Sequence, residues 1–215
     1  EVRPPGRQKK QALEDIKAKG VLVNKAFDLG NDETIIERQL GFLPTNVHSI
    51  AARAASAGEP TVLKLYPLAV SLKGARAGNA ARQPFPTMYW LSCPRLKATV
   101  SQLENQGLVS EWERKLQENP ALLTEMNEAH KQYAAERWAM LTEADMEVVK
   151  SRGWETSLGL GVGIAGSRKP ATIKCLHTHF AHFLANGQNV VGRWVQEALD
   201  AGLHLPQVDA KGSHF

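Results

Sequence analysis

Three of the chain's seven histidines and one of its two cysteines fall within Lys174-Cys175-Leu176-His177-Thr178-His179-Phe180-Ala181-His182-Phe183-Leu184-Ala185. The stretch contains no Pro or Gly and follows Pro170, so a helix is expected here. At 100° per residue, Cys175, His179 and His182 share one stripe. Leu176, Phe180, Phe183 and Leu184 lie on another side and read as buried. A thiolate and two imidazoles aimed at one point suit zinc or another borderline-soft metal in a tetrahedral site. Cys93, where Tyr89-Trp90-Leu91 turns into a helix at Pro94, is the candidate fourth ligand. A plainer reading stands beside this one: cysteine is a common core residue, and histidines often only satisfy local hydrogen bonds. A Cys93–Cys175 disulfide is the least favoured reading.

A second set lies at i, i+3 and i+7 in Ala129-His130-Lys131-Gln132-Tyr133-Ala134-Ala135-Glu136-Arg137. His130, Tyr133 and Arg137 there form one polar stripe. Arginine could fork onto an anion while His or Tyr moves a proton. An interhelix hydrogen-bond row explains the same spacing. A third set is Gly159-Leu160-Gly161-Val162-Gly163-Ile164-Ala165-Gly166, running into Ser167-Arg168-Lys169. Loop amides, a helix N-terminus and two cations suit phosphate. The loop lacks the Gly-Lys-Ser/Thr ending of a P-loop and follows no clear strand. A lid or a close-packed crossing accounts for it equally. Arg38, Arg95 and Lys174 are further polar candidates. The chain shows no Ser-His-Asp order and no paired carboxylates.

These groups need elements to hold them. Asn31-Asp32-Glu33-Thr34 caps a helix through Ile35, Ile36 and Leu40, closed by Gly41. Residues 47–53, 61–66 and 87–91 have strand composition and predict a small antiparallel meander of two or three strands. Residues 73–84, with two glycines, read as a loop. Helices are expected from Pro94 to Gly107, over 108–118, from Pro120 through Leu141, from Thr142 to near Gly153, and over 191–201. Pro120 opens the long helix that carries His130, Tyr133 and Arg137. Ahead of these, a basic arm (Arg3, Arg7, Lys9, Lys10) precedes a short helix at 11–19 and an apolar run, Val21-Leu22-Val23. The fold class is α+β: one mostly helical domain with a small antiparallel meander. The expected division is an extension over 1–30, a domain over 31–206 and a tail over 207–215.

Composition bounds the function. With 215 residues, 43% of them hydrophobic, the chain can bury one real core. A net charge of +4 spread along the chain is too mild, and the aromatics too little interleaved with cations, for a nucleic-acid binder. No run approaches the roughly 20 apolar residues of a membrane span. Two cysteines do not make a disulfide scaffold and fit a reducing compartment.

Several segments together resemble a known family, the domain-of-unknown-function family 501. They are Glu37-Arg38-Gln39-Leu40-Gly41, Pro84-Phe85-Pro86-Thr87-Met88-Tyr89-Trp90-Leu91-Ser92-Cys93-Pro94-Arg95-Leu96, and Val100-Ser101-Gln102-Leu103-Glu104. Ala129-His130 with Tyr133 and Arg137, and Lys174-Cys175-Leu176-His177 with Ala181-His182, complete the set. The resemblance covers about residues 35–200. It implies no reaction, because the family has no agreed one. It places His177 and His182 within the family pattern. Bacterial members carry a Cys-Pro-Cys-Gly-like knuckle between the first two strands, and Ala54-Ala55-Ser56-Ala57-Gly58 stands in its place here. A four-cysteine site is therefore excluded for this chain. Frequent gene neighbours of the family, one exopolyphosphatase-like, lend some weight to a phosphate-bearing ligand.

The expectation is a soluble protein with one polar pocket that binds a metal, zinc foremost, or a phosphate-bearing small molecule. Its walls would carry Arg38, Cys93, Arg95, His130, Tyr133, Arg137, Lys174, His177 and His182. The metal set would be Cys93, Cys175, His179 and His182. The competing expectation is a non-catalytic assembly subunit that docks protein partners through its N-terminal extension. A basic extension ahead of a bacterial-type domain suggests a plastid or other organelle; otherwise the cytoplasm is expected.

Overall fold

Helix α1 (Asp32–Leu40) ends where Gly41 takes φ 78° and returns its amide to the Glu37 carbonyl. Next comes an antiparallel hairpin of β1 (Val47–Arg53) and β2 (Pro60–Leu65), with Ile50 opposite Leu63. A short strand β3 (Leu68–Val70) pairs with β4 (Arg82–Pro84) in a separate two-stranded sheet. Strand β5 (Tyr89–Leu91) returns to the far side of β2, giving the order β1-β2-β5. The computed structural model describes residues 29–70 and 82–203.

The remaining described chain is helical: α2 (Pro94–Asn105), α3 (Leu108–Glu118), α4 (Pro120–Ala139), α5 (Glu143–Ser151), α6 (Glu155–Leu158), α7 (Leu176–Asn186) and α8 (Val190–Asp200). Local chemistry sets the boundaries. Pro94 and Pro120 occupy first-turn positions, where a missing amide costs nothing. The Asn119 side chain accepts from the Ala121 and Leu122 amides, and Thr142 from that of Asp145. The fold class is α+β as expected, with eight helices among the described residues. No helix among them is long and apolar enough to cross a membrane.

Helix α7 lies at the centre. One side packs on β5 and the β-sheet, another on α8. Phe180, Ala181 and Leu176 are buried in the core with Val62, Leu91, Val191 and Val195. Burying a side chain such as Phe180 contributes about 1.5–3 kcal/mol. Gly192 lets α8 come close: a Cβ there would lie 2.6 Å from the His179 carbonyl oxygen and 2.3 Å from Phe183 Cβ.

Three readings change. The stretch 82–84 is a strand, not loop, because its backbone pairs with β3. A one-turn helix, α6, precedes the glycine-rich segment. Helix α7 starts at Leu176, so Cys175 is its extended N-cap at φ −165° and ψ 121°. The short helix expected over 11–19 and the Val21–Val23 run lie outside the described residues.

Candidate metal centre

That late start decides where Cys175 points. As an extended N-cap it leaves the helical stripe of His179 and His182. Its Sγ lies 3.6 Å from Nδ1 of His177 instead. Facing them is α2, which presents Lys97, Ser101 and Glu104 at i, i+4 and i+7 along one side. Glu104 Oε1 accepts the Leu176 amide at 2.7 Å and stands 3.3 Å from His177 Nδ1. On the other edge of the ring, His177 Nε2 is 3.0 Å from the Lys97 carbonyl oxygen and 3.2 Å from Ser101 Oγ. Glu104 Oε, Cys175 Sγ and His177 Nδ1 all lie within 4.8 Å of one another, the one such group of three or more His, Cys, Asp or Glu ligands among the described residues.

The ring's proton placement follows. A carbonyl oxygen only accepts, so Nε2 carries a hydrogen toward Lys97. In a neutral ring Nδ1 is then a bare lone pair, facing a carboxylate oxygen and a sulfur. Three electron-rich atoms in contact require a cation among them, a proton or a metal ion. The proton case raises His177 to about 9, chiefly through its hydrogen bond to Cys175. Burial works to raise the Cys175 thiol, but hydrogen bonds from His177 and the Thr178 amide outweigh it, and the net shift is downward. The metal case is a matter of lengths. A tetrahedral zinc ion would hold its nitrogen and sulfur ligands about 3.6 Å apart, and its nitrogen and oxygen ligands about 3.4 Å apart. The observed separations are 3.6 and 3.3 Å.

The expected set of Cys93, Cys175, His179 and His182 does not assemble. Cys93 is the N-cap of α2, eleven residues and about 16 Å of helix from Glu104. Both cysteines are free thiols. His179 and His182 are buried on the far side of α7's first turn, where Asn189 organises them. Its Oδ1 caps α8 by accepting the Gly192 amide, and its Nδ2 sits 3.1 Å from His182 Nδ1 and 3.3 Å from His179 Nδ1. Asn186 takes His182 Nε2 at 2.8 Å. Burial pushes His182 down to about 4 and His179 to about 3, so both rings are neutral.

The His130, Tyr133, Arg137 stripe is equally inward. Arg137 has no exposed surface, and its guanidinium donates to the carbonyls of Pro86, Leu158, Gly159 and Val162. The glycine-rich segment is thus held by arginine through its backbone. Tyr133 Oη accepts the Met88 amide. His130 Nδ1 accepts the Ile164 amide at 3.0 Å. Glycine at 163 is required by that contact, since a Cβ there would lie 2.3 Å from Nδ1. The other candidates are dispersed. Exposed Arg38 pairs with Glu59 at 2.7 Å. Arg95 is exposed on the first turn of α2. Lys174 Nζ donates to the Gly166 carbonyl at 2.7 Å.

Sequence reasoning missed Glu104, Ser101 and Asn189. Ser101 and Glu104 stood in view at helical spacing. A carboxylate on a helix is too common to mark a site until its partner helix is known.

The family model described as Protein of unknown function (DUF501) matches residues 51–197, more than half of the chain. No curated protein and no solved structure matches it.

Proposed function

We propose that this chain, which belongs to the DUF501 family, is a ligand-binding protein built around one divalent transition-metal ion. Its donors are Glu104, Cys175 and His177, and their chemistry favours zinc. The observation that carries this reading is the pair of separations about His177 Nδ1, 3.6 Å to sulfur and 3.3 Å to oxygen. Hydrogen bonding at Nε2 adds to it: metal-bound histidines typically give their second ring hydrogen to a carbonyl or carboxylate. Thiolate and carboxylate together balance a divalent charge.

Three protein ligands leave a fourth position for water or substrate, the arrangement of catalytic rather than structural zinc sites. When bound, such an ion lowers the pKa of its water and polarises a carbonyl or phosphoryl oxygen. The chain's own contribution is orientation. Lys97 and Ser101 fix the His177 ring, and Glu104 joins α2 to the start of α7 through the Leu176 amide. His177 and Glu104 keep 21% and 28% of their side-chain surface exposed, so a small ligand can reach them. A phosphate-bearing ligand would enter at that fourth position. It would not be held by Arg137, whose donors are spent on carbonyls.

The test is metal binding by the full chain. Zinc at about one per chain is expected, together with a sulfur-to-metal charge-transfer band in the cobalt form. Cys175→Ser should abolish that band and Cys93→Ser should preserve it. Failure to bind zinc or cobalt, or equal loss in the two variants, would sink the reading. A second reading, a structural or assembly subunit, is favoured by the closed hydrogen bonding of Arg137, Tyr133 and His182. It gains if the protein binds no metal and co-purifies in a stable complex.

A further inference from the structure

The three-stranded sheet has two apolar faces, and they are not covered alike. On one, Val62 and Leu91 meet α7 in the main core. On the other, Ile50, Leu63 and Trp90 form a row across β1, β2 and β5. Helix α1 is the one described helix that contributes to this second cluster, through Ile36 and Leu40. Its nine residues span only about 13–14 Å, and they are tied down at the turn end of the β1–β2 hairpin. Asp32 takes the Arg53 guanidinium at 2.6 Å, and Gln39 Nε2 donates to the Pro60 carbonyl at 2.9 Å.

Past the end of α1, aromatic surface is left open. Phe42 keeps 44% of its surface exposed. Its ring centroid lies 6.0 Å from that of Trp90, which in turn is 5.9 Å from that of Phe85. Trp90 and Phe85 are half-buried. A single exposed hydrophobic residue is ordinary. Adjoining aromatic rings on one open face mark a docking surface.

The chain itself supplies an occupant. The first described residue, Leu29, packs into this same cluster. Just before it the sequence reads Val21-Leu22-Val23-Asn24-Lys25-Ala26-Phe27-Asp28, mostly apolar and without Pro or Gly. Eight residues separate Val21 from Leu29, up to about 26–29 Å of extended chain. Crossing the sheet from β1 to β5 needs two strand spacings, about 10 Å. The segment therefore reaches any part of the open face from where the chain enters it.

We propose that residues 21–27 dock on the Phe42, Phe85 and Trp90 surface of their own domain, with the apolar side chains of Val21–Val23 and Phe27 against the rings. The segment gives the sheet's second face the cover that α7 gives the first. An extension held in this way is not available to dock a partner protein. The proposal does not depend on a metal being bound.

The test uses the full chain in solution. Nuclear Overhauser contacts are expected between methyl protons of Val21, Leu22 or Val23 and ring protons of Phe42 or Trp90. Isotope filtering on a mixture of labelled and unlabelled chains should show them to be intramolecular. Hydroxyl-radical footprinting reads the same surface. The double variant Leu22→Asp, Phe27→Asp should raise oxidation of Phe42 and Trp90 severalfold and leave that of the exposed Leu160 unchanged. Intermolecular contacts would overturn the proposal, because the face would then join two copies. The absence of contacts, or equal oxidation of Phe42 and Trp90 in wild type and variant, would overturn it as well. If the double variant does not fold, the wild-type contacts decide alone.

Discussion

Arg137 is a fully buried cation with no carboxylate partner among the contacts of the described residues; backbone carbonyls take its place. That choice of partner occupies the guanidinium donors that an anion would need. Lysine carries the same charge but a single point of donation, and it cannot span four carbonyls. Arg137→Lys is therefore expected to destabilise the fold by about 2–4 kcal/mol, read as a lower urea midpoint. A loss within about 0.5 kcal/mol would show that the fork is dispensable. At the proposed metal centre, Ser101 and Lys97 touch the ring of His177 on the edge away from Cys175 and Glu104. Ser101→Ala should weaken zinc binding by about tenfold, the usual effect of removing an orienting partner. Its cobalt charge-transfer band should survive, since Cys175 still binds. A Ser101→Ala protein that loses the band altogether would mean that the hydroxyl has a different role.

At the scale of elements, the glycine-rich segment illustrates how position overrides composition. Gly163 lies against the His130 ring, whereas a Cβ at Gly161 would meet nothing within 4 Å. Gly163→Ala is expected to cost about 1–3 kcal/mol through overpacking. Gly161→Ala should be neutral or stabilise by up to about 1 kcal/mol, by restricting the unfolded chain. Thermal unfolding of the two variants side by side separates a close-packed crossing from a flexible lid, because a lid would tolerate both. Helix limits were legible where a capping residue or a proline stood at the boundary, as at Gly41, Pro94, Pro120 and Thr142. The β3–β4 pairing was not, because Arg82-Gln83-Pro84 becomes a strand only by meeting Leu68–Val70. Cys175 and His177 were visible as chemistry, but their arrangement was not. Placing Cys175 on the helix aimed it at His179, while its extended backbone aims it at His177. Two residues of helix boundary turn Cys175 from the stripe of His179 and His182 to the side of His177 and Glu104.

Across the whole molecule, neutral imidazoles in the core make stability depend on pH, and the sign follows from where they sit. Burial holds His130 and His182 at about 4, against 6.5 in the unfolded chain. His130 faces the Ile164 amide, the Pro170 carbonyl and the neutral ring of His179. His182 faces the rings of Tyr89 and Tyr133, the amides of Asn186 and Asn189, and more distantly Glu136. Glu136 favours the charged form of His182 but does not overcome burial, being itself paired with Lys64 at 2.6 Å. Between pH 6.5 and 4 the unfolded chain binds protons at both positions and the folded chain does not. The contribution of these rings is therefore intact above 6.5 and falls as the pH drops through that window. Each ring contributes on the order of 3 kcal/mol across it, a large part of the 5–15 kcal/mol typical of a domain. Urea titrations at pH 7.5, 6.5, 5.5 and 5.0 test this, because most unpaired carboxylates are still ionised throughout that range. The expected result is a midpoint that declines with growing steepness below 6.5, with unfolding taking up nearly three protons by pH 5, His179 adding the third. A midpoint unchanged between 6.5 and 5.0 would mean that these rings are already charged in the native core or reached by solvent.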